Sequence, residues 1–266
     1  MSIISTRPYY TQMKIDKIIF STDDNPLYLG FWPFISKWTK ERLGVTPVLF
    51  HVTTEETDFY EDQYGLVKKF KANPKLPSSF QAQLVRMWGT RYFLDEFCMT
   101  SDIDMMMVDK SYFMNDLENY HDDDILIYGS DAYDSSRPEC IDIYGGDRYP
   151  ICYNLAKGST FQKILLTDKP FDEYMTYVNG YYFPFHDSDE MYFGWMVNNT
   201  THGVNVIKLK RGFTTKFYCP NRFERPLYLS PEQQQQLKNQ DIIDIHLVRP
   251  YEKYQTQIQI IKEMIV

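Results

Sequence analysis

Phe97-Cys98-Met99-Thr100-Ser101-Asp102-Ile103-Asp104-Met105-Met106-Met107-Val108-Asp109 is an apolar run broken by two carboxylates two residues apart. The apolar stretch before the break predicts a buried central strand, the pattern of strands covered on both faces. If that strand ends in a cleft, Asp102 and Asp104 can chelate one hard divalent cation, and the cation can neutralise a diphosphate. With 36 acidic residues in the chain, Asp-x-Asp also arises by chance, and the alternative is a surface turn capping the strand. The surrounding elements favour the cleft.

Upstream, Lys17-Ile18-Ile19-Phe20 reads as a buried first strand ending in the polar loop Ser21-Thr22-Asp23-Asp24-Asn25. Leu29 to Leu43 has helical spacing, with Phe34, Trp38 and Leu43 among its apolar positions and Gly44 to end it. Val48 to Val52 and Gly65 to Phe70 read as further strands. Pro77-Ser78-Ser79 opens a helix with one of the serines as N-cap. Its buried stripe is Phe80, Leu84, Met87 and Trp88, which leaves Arg86 pointing away from the core. Downstream, Asp124 to Tyr128, Pro150 to Leu155, Val204 to Ile207 and Ile242 to Leu247 read as strands, and Ser159 to Leu166 and Ser188 to Val197 as helices. Strands separated by helices predict an α/β fold with a mixed, largely parallel sheet flanked by helices. No repeat or linker divides the chain, so a single domain over residues 1–266 is expected.

Hydrophobic residues make up 43% of the sequence, enough for a sizeable core. The formal net charge of −8 argues against a nucleic-acid partner, because phosphate backbones need a basic face. An acidic protein can still bind a nucleotide if a metal supplies positive charge locally. The 22 Tyr and 18 Phe tilt the expectation toward carbohydrate, since sugar-binding surfaces use aromatic rings. Cys98, Cys140, Cys152 and Cys219 show no zinc spacing, and reduced thiols in the cytoplasm are the simplest account. Met1 to Lys17 has no long apolar run, so neither a signal peptide nor a membrane span is expected.

The order of parts resembles the metal-dependent glycosyltransferases of the GT-A fold. The closest stretch runs from Ser79 to Asp109: a serine, an arginine-bearing helix, an apolar strand, Asp-x-Asp and a later aspartate. Weaker echoes lie at Asp187 to Asn198 and Asp244 to Lys253. Compact capsid glycosyltransferases of large algal DNA viruses are one similar group, for which the compartment would be the host cytoplasm. The resemblance implies a nucleotide-sugar-binding half over about residues 14–110 and an acceptor-binding, site-completing half over about 111–266. It implies a donor such as a UDP-sugar, a glycan acceptor, and Mn²⁺ as cofactor with Mg²⁺ as the alternative.

The same resemblance assigns roles to residues. Asp102 and Asp104 are expected to meet the metal, Asp102 also touching ribose. His246 closes the metal site, its nitrogen suiting Mn²⁺ better than Mg²⁺. Asp23, Asp24 and Asn25 sit where the fold reads base and ribose; a self-satisfied polar turn is the other reading. Arg86, Arg249 and Lys253 are candidates for the diphosphate or donor sugar. His186-Asp187-Ser188-Asp189-Glu190 opens a helix where an inverting enzyme would place its general base. Asp189 is the first choice, with Asp187 and Glu190 beside it, although Asp187 and Glu190 also fit a capping box. Lys208, Lys210, Arg211, Lys216, Arg222 and Arg225 form a basic stretch that reads either as a loop over the diphosphate or as a solvated face. On these assignments the site holds excess negative charge before a metal binds.

Three other classes fit less well. A sugar-phosphate nucleotidyltransferase carries a Gly-rich basic loop after its first strand, where this chain has Ser21-Thr22-Asp23-Asp24-Asn25-Pro26. A phosphatase with an Asp-x-Asp nucleophile wants the motif near the first strand. A non-enzymatic carbohydrate-binding module has no need of a carboxylate pair with a late histidine.

Overall fold

The computed structural model describes residues 11–133, 148–182, 187–199, 203–213 and 219–265. Cys140, His186 and Lys216 lie outside the described residues. In chain order the elements are β1 (Lys17–Asp23), α1 (Trp32–Trp38), β2 (Thr46–Thr53), β3 (Tyr60–Glu61), β4 (Leu66–Lys71), α2 (Ser78–Trp88) and β5 (Phe97–Thr100). Next come β6 (Met105–Met107), α3 (Lys110–Met114), β7 (Asp124–Tyr128), β8 (Asn154–Lys157), α4 (Gly158–Leu165), α5 (Phe171–Tyr182) and α6 (Ser188–Asn199). β9 (Asn205–Leu209), β10 (Arg222–Glu224), α7 (Pro231–Lys238), β11 (Asp244–His246) and α8 (Tyr251–Glu263) complete the order.

The large sheet runs β3-β4-β2-β1-β5-β8-β7-β9. All its strands except β3 and β8 point the same way, so the chain is an α/β protein built on a mixed, largely parallel sheet. Side chains of β1 alternate between two apolar layers. Ile18 and Phe20 pack with α1 residues such as Phe34 and Trp38, while Ile19 packs with Leu84 and Met87 of α2. Both faces are covered, which is why the inner strands read as unbroken apolar runs. Cys98, on β5, is fully buried in the second layer and behaves as a small hydrophobe. Among the described residues no helix is long and apolar enough to cross a membrane.

β10, β11 and β6 form a second, three-stranded sheet. The apolar run that reads as one strand with a break is therefore two strands in two sheets, and Ser101 to Asp104 is the crossing between them. Ser101 N donates to Ile19 O at 2.9 Å, and Leu247 N donates to Asp104 O at 2.8 Å, so the crossing is tied to both sheets. Antiparallel pairing sets Met105 opposite His246, which delivers a residue 142 positions away to the Asp-x-Asp segment.

Two expectations about local structure change. Neither serine caps α2 through its side chain; Ser78 Oγ instead donates to Asp23 Oδ2 at 2.7 Å, tying the helix start to the end of β1. The basic stretch divides where it is described: Lys208 and Lys210 are exposed, whereas Arg211 and Arg222 turn inward. Arg211 donates to Asp244 at 2.9 and 3.0 Å, and Arg222 does so at 3.0 and 2.9 Å. Asp244 has no exposed surface; burial opposes its ionisation, but Arg211 and then Arg222 hold its carboxyl well below the usual carboxylate range. Its ionised form therefore stabilises the fold above the unfolded carboxylate pKa of about 3.9, and that contribution fades as pH falls toward the lower folded value. Asp244→Ala strands two buried guanidinium groups, and the expected cost is about 3–5 kcal/mol in urea unfolding followed by tryptophan fluorescence. A loss below about 1 kcal/mol would mean that this network is not a structural anchor.

Candidate active site

A cleft of about 550 Å³ opens at the C-terminal ends of β1 and β5 and reaches the start of α6. This is where open α/β sheets place ligands, because successive loops diverge there. Asp23, Asn25, Arg86, Asp102, Asp104, Asp187, Asp189, Glu190, His246 and Arg249 all line it. Asp24 and Lys253 do not. Asp24 turns to His51 Nε2 at 2.7 Å and Thr53 Oγ1 at 2.8 Å on top of β2. Lys253 projects from α8, exposed, with its ammonium 5.0 Å from the Tyr254 ring.

At the β1 end the loop satisfies much of its own polarity. Asp23 Oδ1 accepts from Asn25 N at 3.2 Å while Oδ2 takes the Ser78 bond, and Asn25 Oδ1 accepts from Leu27 N at 3.0 Å. Tyr28 N donates to Asn25 O at 3.0 Å, and Tyr28 lines the cleft wall.

Arg86 leaves the apolar stripe of α2, as its helix position implies, but is buried rather than solvent-facing. It spans the cleft floor, donating through Nη1 to Asp102 Oδ1 and through Nη2 to Asp189 Oδ2 at 2.6 Å. It thereby joins the sheet crossing to α6. Its buried Nε has no hydrogen-bond partner. Desolvation works against this charge, but Asp102 and Asp189 more than offset it, and the group stays ionised.

Asp104 and His246 form the other focus. Asp104 Oδ2 lies 3.0 Å from His246 Nε2, 3.4 Å from Arg249 Nε and 3.9 Å from Arg225 Nη2. Burial alone would raise the Asp104 pKa, yet His246, Arg249 and Arg225 lower it, so the carboxylate is ionised in positive surroundings. The expected excess of negative charge is thus absent at this carboxylate. His246 Nδ1 is held by Glu224 Oε1 at 2.8 Å. Burial lowers the imidazole pKa, but Asp104 and Glu224 outweigh it and push it up to about 9. Arg225 Nη2 also lies 2.7 Å from His246 Nε2, a contact that only an unprotonated nitrogen accepts. Asp104 and Arg225 therefore compete for one ring nitrogen: protonated, it donates to Asp104; unprotonated, it accepts from Arg225. The Glu224 bond serves both forms and fixes the ring.

These residues fit a divalent cation chemically. A buried carboxylate and an imidazole nitrogen 3.0 Å apart have roughly the separation of adjacent ligands each about 2.1 Å from an octahedral ion. A carboxylate on the far ring nitrogen is the usual support of a metal-binding histidine. Among the described residues, however, no three such side chains form a ready-made cage, and Asp102 is bonded to Arg86. Asp102 is 37% exposed, so it can turn into the cleft without unpacking the core.

At the α6 end, both oxygens of Asp189 are engaged, Oδ2 by Arg86 and Oδ1 by Glu190 N at 2.9 Å. Asp187 pairs with Arg148 Nη1. Glu190 lies 3.9 Å from Arg148 Nε and accepts from Tyr133. Burial and then the Asp189 charge push Glu190 up to about 8, in spite of Arg148.

Tyr28, Tyr133, Arg148 and Glu224 escape a reading of the sequence. Tyr28 carries Arg249, whose guanidinium sits 4.7 Å from the ring centre and donates to the hydroxyl. Arg148 lies 4.0 Å over the Tyr133 ring. Each sits in a loop or strand end with no motif spacing, and only the possible pairing of Glu224 with His246 across parallel strands was open to inference.

No family model and no curated protein sequence matches the chain. Its structure is similar to that of the galactosyltransferase LgtC in complex with donor and acceptor sugar analogs, with a TM-score of 0.46 and 13% identity over 87% of this chain and 86% of that one. It is similar to the apo WbbM bifunctional glycosyltransferase at 0.46 and 11%, covering 97% of this chain and 50% of that one. It is also similar to apo mouse xyloside xylosyltransferase 1 at 0.36 and 10%, over 86% and 96% of the two chains.

Proposed function

We propose that this chain is a metal-assisted glycosyltransferase of the GT-A type. It would move a sugar from a nucleoside diphosphate, expected to be UDP, to an acceptor hydroxyl on a glycan, with inversion. The observation that carries the reading is the convergence of Asp104 and His246, from distant parts of the chain, beside Arg86 and the acidic start of α6. A nucleotidyltransferase or a binding module does not call for that set.

Asp102, Asp104 and His246 would hold Mn²⁺, with Mg²⁺ the alternative. Bound there, the ion would neutralise charge gathering on the departing diphosphate. The chain's own groups supply the rest. Arg249, fixed on Tyr28, and Arg86 add donors where that charge develops. The acceptor oxygen bonds to the anomeric carbon as the bond from that carbon to the phosphate oxygen breaks, and its electron pair leaves with the diphosphate. The acceptor proton passes to Glu190. Among the three acidic candidates, Asp189 is engaged at both oxygens and Asp187 is held by Arg148, whereas Glu190 lines the cleft with a raised proton affinity suited to general-base work.

A thermal-shift panel of nucleotide sugars with and without Mn²⁺ tests the reading. A ligand at a hundred times its dissociation constant stabilises by about 2.7 kcal/mol, and the shift is expected only with metal present. No shift for any nucleotide sugar would overturn the assignment. His246→Ala is expected to weaken Mn²⁺ by more than about tenfold and Mg²⁺ by less, because it removes the nitrogen donor. Calorimetry with each metal and UDP measures the difference, and equal losses would remove His246 from the metal.

A further inference from the structure

Arg225 stands apart from the other arginines of the cleft. Arg86 and Arg249 are fixed, one between Asp102 and Asp189, the other on Tyr28. Arg225 is one-third exposed, and among the described residues its guanidinium meets Glu224 at 3.3 Å, His246 Nε2 at 2.7 Å and, more distantly, Asp104 Oδ2 at 3.9 Å. Those last two atoms are the donors that a divalent cation needs. The guanidinium thus sits against the atoms that would hold the metal.

The backbone holds this arrangement at a cost. Arg225 has φ of 48°, the left-handed region that a side chain with a Cβ adopts under strain. Its N–H donates to His246 O at 2.7 Å, so the strained residue is pinned beside β11. The preceding Glu224 pairs in register with His246 and holds its other ring nitrogen. One dipeptide therefore does two opposed things to the same imidazole: Glu224 aims Nε2 into the cleft, and Arg225 covers it.

We propose that Arg225 is a built-in counter-ion to Asp104 that a divalent cation displaces from the Asp104–His246 pair, and that the displaced guanidinium then binds the donor diphosphate. The inference rests on the metal-assisted reading above. Its physical basis is simple. A guanidinium and a divalent cation cannot both occupy the space against Asp104 Oδ2 and His246 Nε2, so metal and Arg225 exclude each other there. Once displaced, a partly exposed arginine on the cleft wall would be a fork-shaped donor for phosphate beside the residues that would hold the metal. Cation binding and diphosphate binding would then be linked in order, metal uncovering the arginine that receives the nucleotide.

The consequence is a pair of effects with opposite sign. Arg225→Gln is expected to tighten Mn²⁺ alone by about fivefold, because no counter-ion competes. The same substitution is expected to weaken UDP binding to the Mn²⁺-loaded protein by about 10–100-fold, because charge-assisted donation to phosphate is lost. Arg225→Lys keeps a positive charge without the fork and should fall between on both scales. Isothermal titration of Mn²⁺ alone, then of UDP into the Mn²⁺-saturated protein, reads both quantities without any turnover assay. Circular dichroism checks that each variant is folded, and a failure of the Gln variant to fold leaves the Lys variant as the test. Unchanged Mn²⁺ affinity, or equal loss for Mn²⁺ and UDP, overturns the role given to Arg225 while leaving the enzyme assignment in place. Absence of Mn²⁺-dependent UDP binding in the unmodified protein overturns the assignment itself.

Discussion

Glu190→Gln is expected to lower turnover by about 10²–10⁴-fold, the usual worth of a positioned general base, with little change in donor affinity. The amide keeps the shape of the side chain and can still accept from Tyr133, but it cannot take the acceptor's proton. The pH profile gives a second signature. Glu190 must be ionised to act, and burial with the Asp189 charge holds its pKa up to about 8. Turnover of the unmodified protein should therefore climb as pH rises through that value and level off above it. The Gln variant should lose the climb along with the rate. Initial rates with a nucleotide sugar across pH 6–10 decide the point. Near-native turnover in the variant, with a lowered melting temperature, would make Glu190 a structural residue of the α6 start, and the reaction would then need its base at Asp187 or Asp189.

Asp104→Asn is expected to remove metal-dependent UDP binding, by more than the roughly 10–100-fold typical of losing an outer-shell partner of a metal. Asn is the informative substitution because Asp104 is buried among positive groups. Its carboxylate, with a pKa lowered by His246 and Arg249 against the effect of burial, contributes stability above the unfolded pKa that is lost as pH falls through the folded one. Alanine would strand those cations and lower stability as well, confusing binding with folding. Asn retains an acceptor for His246 and is nearly isosteric, so a thermal melt should move less than for alanine while the metal-dependent UDP isotherm disappears. Full retention of that isotherm would remove Asp104 from the metal.

The cleft also explains why the sequence misjudged local charge. Read along the chain, Asp102, Asp104, Asp187, Asp189 and Glu190 promise a strongly negative site. In space, Arg86, Arg148, Arg225 and Arg249 are threaded among them, each arriving from a different element or loop. Such pairings have no sequence spacing to detect. The basic stretch before β11 shows the same effect: Arg211 and Arg222 end on buried Asp244, while Arg225, one residue beyond β10, reaches the cleft.

By itself the sequence determined the α/β class. Apolar runs such as Ile18 to Phe20 and Phe97 to Met99 carry the two-faced burial of inner strands, and Gly44, with φ of 74°, marks a helix end that a left-handed residue must close. It also marked Asp102 and Asp104 through an interrupted apolar run, and His246 through its place in the GT-A resemblance. It missed α5, α8 and α7, the last of which starts at a Ser230–Gln233 capping box. Tertiary structure alone decided that Met105 to Met107 leave the main sheet, because strand continuity is a matter of hydrogen-bond partners, and theirs lie on β11. That change of sheet turns the Asp-x-Asp segment into a crossing, sets His246 beside Asp104, and brings Arg225 onto both. Periodicity reports which face of an element is buried; which distant element covers it, and with what charge, is fixed only when the whole chain packs.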